Sequence, residues 1–181
     1  MRALLGVLDR HDVRYVVTGS VAALLLGVAV DPGDLDITPA LERDNLARLA
    51  AALEKLAAHQ YPDEPFGRWE VGDNGERRWV EFEPSAADRQ ARASWQPDPD
   101  DAASFDHLLK TVHGALDVVP EIAGTYAELR PRAHAVDLDG LRVYVESVSD
   151  QLTTLTIPRR PKDAERVREL RALQRQFASR S

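Results

Sequence analysis

Residues 14–38, RYVVTGSVAALLLGVAVDPGDLDIT, restrict the fold more than any other part of the chain. RYVVT is a short β-branched and aromatic run and reads as a strand. Gly19-Ser20 then opens VAALLLG, an apolar segment that reads as a buried helix ending at Gly27. DLDIT (34–38) reads as a second strand, and alternation puts Asp34 and Asp36 on one face. Two carboxylates about 7 Å apart in backbone position repel each other unless a cation sits between them. Oxygen ligands of this kind suit Mg²⁺ or Mn²⁺. The Gly-Ser pair is a plain helix cap when read alone. Beside two carboxylates it is also a turn where backbone N–H groups and a hydroxyl can meet phosphate.

The remaining text continues the strand–helix alternation. Residues 2–9 have helical character. Thr38-Pro39 has the signature of a helix start, with Thr as N-cap and Pro in the first helical position. Leu41, Leu46, Leu49, Leu53 and Leu56 then give the amphipathic spacing of the helix that follows. Residues 61–104 are rich in Pro, Asp and Trp without a long period. There WVEF (79–82) reads as a strand after an Asn74-Gly75 hairpin turn, and PSAADRQARASWQPDPDDAAS as a loop. Further on, ALDVV (115–119) is a strand with one acid, Asp117, and EIAGTYAELR reads as helical. HAVDL-DG-LRVYV (134–145) is a hairpin around Asp139-Gly140, and Ser147 or Ser149 caps a helix through Leu155. Pro161 opens a last helix with Val167, Leu170 and Leu173 on its inner side.

Composition narrows the chemistry. The chain has 181 residues and no cysteine, which removes thiolate nucleophiles, disulfides and Cys-type zinc sites. Its longest apolar run, VAALLLGVAV, is far short of the ~20 residues needed to span a bilayer, so no membrane association is expected. The N-terminal text lacks a secretory apolar region, and a cytoplasmic location is the expectation. Net charge is −7, unevenly spread: residues 156–181 hold eight Lys/Arg against three acids, which leaves −12 on the rest. A basic tail on an acidic body is either a solvated helix face or a local dock for a polyanion. The histidines are scattered without ligand spacing, and Trp69, Trp79 and Trp95 suit packing more readily than base stacking.

The strand acids make a set. Two from one strand and a third from a neighbour, Asp34, Asp36 and Asp117, can hold two metals about 3.5–4 Å apart, the spacing used for in-line phosphoryl displacement. GS, then DLD, then ALD on a later strand resembles the nucleotidyltransferase fold shared with DNA polymerase β. More narrowly, VVTGSVAALLLGV, GDLDI, HGALDVVPEIAGTYAEL, GLRVYVESVSDQL and RRPKD are similar to the bacterial nucleotidyltransferase-like proteins that include toxins of type IV toxin–antitoxin systems. The likeness covers nearly the whole chain except roughly 61–104.

The resemblance implies an α+β fold: a small mixed sheet packed on helices, with a C-terminal helical segment. Residues 1–146 would form the core, interrupted by an irregular insertion at 61–104, and 147–181 would pack on it. Gly19 and Ser20 would hold the β- and γ-phosphates of a nucleoside triphosphate such as ATP. Asp34 and Asp36 would coordinate two Mg²⁺ (or Mn²⁺) ions; Asp117 would share one and ease deprotonation of the acceptor hydroxyl. The acceptor would be RNA such as tRNA, a protein or a small molecule, and a cognate antitoxin protein would be a partner. Many relatives carry a basic residue where Val30 stands and a lysine where Leu155 stands. Arg159, Arg160 and Lys162 would take over nucleotide binding, or equally form only a helix N-terminal cluster. Those absences keep open a degenerate, non-catalytic relative that binds nucleotide or a protein partner, and a pure interaction module.

Overall fold

The computed structural model describes residues 1–61, 65–72, 77–155 and 161–178. The chain starts with helix α1 (Arg2–Arg10), strand β1 (Tyr15–Thr18), helix α2 (Gly19–Leu25), strand β2 (Asp34–Pro39) and helix α3 (Arg43–Lys55). A short strand β3 (His59–Gln60), a hairpin of β4 (Gly67–Val71) and β5 (Arg77–Glu81), and helix α4 (Ala86–Ala93) follow. Strands β6 (His107–Thr111) and β7 (Gly114–Val118) precede a single helical turn, α5 (Tyr126–Leu129). The hairpin β8 (His134–Leu138) and β9 (Leu141–Val145) leads to α6 (Val148–Thr154) and α7 (Pro161–Ala178).

Seven strands form one mixed sheet in the order β3-β6-β7-β2-β1-β9-β8. β1 and β2 pair antiparallel, whereas β2 and β7 pair parallel, with Asp34 opposite Ala115 and Asp36 opposite Asp117. Period-two alternation sorts β2 by face: Leu35 and Ile37 enter the main apolar cluster, and the aspartates point the other way. That cluster joins Leu4, Leu5 and Leu8 of α1 to Leu46, Leu49 and Leu53 of α3. Because a one-residue slip would drive both aspartates into this core, its burial fixes the register of Asp34 and Asp36.

A second, smaller cluster seats α7. Ala23, Val28, Val148 and Leu170 are buried together, with Val30, Leu152, Leu155 and Leu173 packed against them. The Glu169 carboxylate also accepts a 2.8 Å hydrogen bond from the Ala29 N–H. The C-terminal helix is thereby tied to the segment between α2 and β2. No helix among the described residues is long and apolar enough to cross a membrane.

Several local expectations need correction. Thr38 and Pro39 are not a helix start; both belong to β2, paired with Val16 and Tyr15, and Thr38 is fully buried. Strand pairing overrides the local capping signature, and α3 begins instead after Glu42. Leu41 accordingly lies outside the helix and is 38% exposed, while Leu46, Leu49, Leu53 and Leu56 are buried as the spacing predicts. The stretch read as a loop after residue 83 contains α4, held by a capping box in which Ser85 and Asp88 satisfy each other's backbone N–H. EIAGTYAELR is helical only from Tyr126 on, over α5 and into a 3₁₀ turn at Arg130–Arg132, entered through a Thr125–Glu128 capping box after Gly124. The Asn74-Gly75 turn lies outside the described residues. Asp139 and Gly140 do turn the last hairpin, with φ of +55° and +86°, the left-handed pair a type I′ turn requires.

Candidate active site

β1 ends at Thr18, directly opposite Asp36, and the chain turns there into α2 through Gly19. Gly19 has φ +64°, and a Cβ on it would lie 2.6 Å from Cγ of Asp36. The glycine therefore meets two demands at once, a left-handed backbone and direct contact with a carboxylate. Asp34, Asp36 and Asp117 each present an oxygen, and the three lie within 4.8 Å of one another. The sequence reading brought these three together, and they meet at the end of the β2/β7 parallel pair.

The three carboxylates repel one another across this cluster. Burial first, then the charges of Asp34 and Asp117, push the Asp36 carboxyl up to about 7; Arg166 and the Ser20 N–H act in the opposite sense. Three convergent carboxylates with so little positive charge around them fit a divalent ion's oxygen-ligand set.

The turn is more occupied than the sequence suggested. The Ser20 N–H is engaged by Asp36, and the Gly19 N–H donates to Glu146 Oε2 at 3.3 Å. Glu146, at the end of β9, is 1% exposed, and its other oxygen has no hydrogen-bond partner among the described residues. Burial pushes its carboxyl up to about 8 against the pull of the Gly19 N–H. Sequence reasoning assigned Glu146 nothing, although an acid directly after the apolar LRVYV strand was the available signal.

Two clefts meet at Asp117. One, of about 610 Å³, runs from Gly19 and Ser20 past Asp34 and Asp36 to Asp163 and Arg166 of α7. The other, of about 710 Å³, lies towards Phe66, Asp88, Arg92, Trp95 and His107. Here the Arg92 guanidinium stacks 3.4 Å from the Phe66 ring centre, and Trp95 meets His107 edge to face at 5.6 Å. Trp95 also packs on the main core, in keeping with a packing role. Arg159 and Arg160 lie outside the described residues, as does the side chain of Lys162. Val30 and Leu155, the positions where a cation was missed, both pack into the apolar seat of α7. The basic residue that does line the first cleft, Arg166, lies in the tail that reads from sequence as a solvated helix face or a polyanion dock. Its place one residue before Val167 on the inner stripe was the usable clue.

No protein-family model matches the chain, and no curated protein sequence does. Among solved structures, the crystal structure of ANT(2'')-Ia in complex with adenylyl-2''-tobramycin is similar at 18% identity and TM-score 0.50, over 98% of this chain and 94% of that one. The solution structure of the antibiotic-resistance factor ANT(2'')-Ia aligns at 19% identity and TM-score 0.49, over 98% and 88%. At that identity the crystal-structure likeness speaks to the fold: this chain has the α+β fold of the nucleotidyltransferases.

Proposed function

We propose that the chain is a metal-dependent nucleotidyltransferase, moving an NMP from an NTP to a hydroxyl acceptor. The observation that carries this reading is the convergence of Asp34, Asp36 and Asp117 beside the Gly19-Ser20 turn, at the junction of two clefts. When bound, two Mg²⁺ ions would supply charge neutralisation at the reacting phosphate and its leaving group. Asp34 and Asp36 would hold both ions and Asp117 would share one.

The remaining work belongs to the chain. Ser20 lines the first cleft, and its hydroxyl would donate to a phosphate oxygen. Asp117 lines both clefts, so a hydroxyl arriving from the second cleft meets the α-phosphorus beside its carboxylate. The acceptor O–P bond forms as the bond from the α-phosphorus to the pyrophosphate oxygen breaks. The hydroxyl proton passes to the carboxylate, and pyrophosphate leaves through the first cleft. Positioning and electrostatics account for the rate.

For the acceptor, Asp88, Asp106 and Asp117 outnumber Arg92 in the second cleft, and Phe66 and Trp95 add apolar faces. That lining favours a small, hydroxyl-bearing cation; the similar ANT(2'')-Ia is held in complex with an adenylylated aminoglycoside, adenylyl-2''-tobramycin. RNA such as tRNA, or a cognate antitoxin protein as in a toxin–antitoxin pair, forms a second acceptor class, favoured by the eight Lys/Arg of residues 156–181. The apolar Val30 and Leu155 favour the alternative of a binder without turnover.

The test is transfer of label from each α-phosphate-labelled NTP, with Mg²⁺ or Mn²⁺, into an aminoglycoside mixture, total tRNA and the protein itself. Metal-dependent label in one acceptor is the expected result. Tight NTP binding with label in none of them would select the non-catalytic binder.

A further inference from the structure

We infer that Arg166, carried into the first cleft by α7, is the cation that grips the polyphosphate of the nucleotide; this deepens the transferase reading and rests on it. Six carboxylates, Asp31, Asp34, Asp36, Asp117, Asp163 and Glu165, line this cleft, and among the described residues Arg166 is its one basic side chain. A polyphosphate brought against that lining needs positive charge beyond what the turn's hydroxyl provides.

Arg166 is placed for the task. Its side chain is 13% exposed, and its Nε is buried with no hydrogen-bond acceptor among the described residues. The Asp163 carboxylate, 5% exposed, stands 3.9 Å from a terminal nitrogen of Arg166, beyond hydrogen-bond length. A buried guanidinium Nε–H without an acceptor is costly unless one arrives. The fork of N–H groups matches the oxygens of a phosphate chain, and phosphate is the acceptor the adjoining metal site would deliver.

The anchoring of α7 makes the placement rigid. Leu170 is buried on Ala23, Val28 and Val148, and Val167 is buried beside it on the same helix face. Val30 and Leu155 complete the seat, so the two positions that lack a cation support the helix that carries one. Arg168 and Arg171, on the same helix, are exposed and cannot substitute.

Arg166 lines the same cleft as Asp34, Asp36 and Asp117, so its charge attracts phosphate and repels a cation at the carboxylates. Its removal should therefore move two ligands in opposite directions, and this defines the experiment. Tripolyphosphate and a non-transferable NTP analogue are titrated with Mg²⁺ into wild type, Arg166→Gln, Arg166→Lys and the control Arg168→Gln. Mn²⁺ alone is titrated in parallel.

Arg166→Gln is expected to weaken tripolyphosphate and the analogue roughly 10- to 100-fold, while binding Mn²⁺ alone at least as tightly as wild type. Arg166→Lys should recover part of the loss, and Arg168→Gln should match wild type. Unchanged tripolyphosphate binding in Arg166→Gln would overturn the inference. So would a parallel loss of Mn²⁺, which would mark a merely structural role. Wild type that transfers nucleotide while Arg166→Gln behaves identically would sink the inference and leave the transferase reading standing. Wild type that binds neither phosphate ligand would remove both.

Discussion

Asparagine in place of Asp36 is expected to abolish nucleotidyl transfer and, in the same protein, to raise the melting temperature without metal. Asp36 is the acid through which the other two act, since burial and the charges of Asp34 and Asp117 push its carboxyl up to about 7. The unfolded chain releases that proton near the ordinary value of about 4. Between about pH 4 and 7 the folded chain therefore binds the extra proton, so stability is fully present below that window. It is lost as pH rises through about 7. A neutral amide removes this slope, keeps the acceptor for the Ser20 N–H, and relieves on the order of 4 kcal/mol at pH 8.

For a chain of this size that corresponds to a rise of roughly 8–16 °C, measured by thermal unfolding in chelator. Glu146, raised to about 8, contributes a slope of the same sign that survives in the variant. Transfer should fall by at least about 10³-fold, because an amide would replace a charged ligand of both proposed ions. A variant that is destabilised at pH 8 without metal, or that retains transfer, would contradict the electrostatic account.

Alanine at Gly19 is expected to act on the same carboxylate from the other side. The left-handed φ of +64° costs a non-glycine residue about 1–2 kcal/mol by itself. The new methyl would also lie 2.6 Å from Asp36 Cγ, with the β1–α2 backbone behind it, so the carboxylate must move out of the cluster. A total loss of about 2–4 kcal/mol follows, with metal binding lost as well. A double-mutant cycle separates the two parts. In an Asp36→Ala background only the backbone cost and a 3.2 Å contact with the remaining Cβ persist, so the penalty should drop towards about 1–2 kcal/mol. Equal penalties in both backgrounds would show that the collision does not matter.

The N-terminal half of the sheet was readable because two periodicities changed where the structure changes. The apolar block of 21–27 and the alternation of 34–38 fix α2 and β2, and the acids of DLD and ALD stand out because each interrupts an apolar strand. The parallel register that brings Asp36 beside Asp117 spans about eighty residues of chain and leaves no local trace. Thr38-Pro39 misled for the same reason: its capping signature is local, and the pairing with β1 that overrides it is not. The α4 capping box was hidden by charged and alanine-rich text without an apolar stripe, which suits a helix with no buried residues.

Glu146 and Arg166 illustrate what composition conceals. Each is one charge in a charged neighbourhood, and only the fold reveals that both point inward, one at Gly19 and one at the cleft. The basic tail offers polyanion docking as a whole-segment property, and the inference from the cleft gives a polyphosphate-binding role to one of its side chains, Arg166 on α7.

The central claim is that Asp34, Asp36 and Asp117 hold two divalent ions when a nucleotide is present. The most direct measurement is a count of bound Mn²⁺ by electron paramagnetic resonance, with a non-transferable NTP analogue, in wild type and Asp36→Ala. Two bound ions per chain in the wild type, spin-coupled to one another and lost in the variant, is the predicted result. A wild-type chain that binds no Mn²⁺ at millimolar concentration, or binds it equally after Asp36→Ala, would contradict the account.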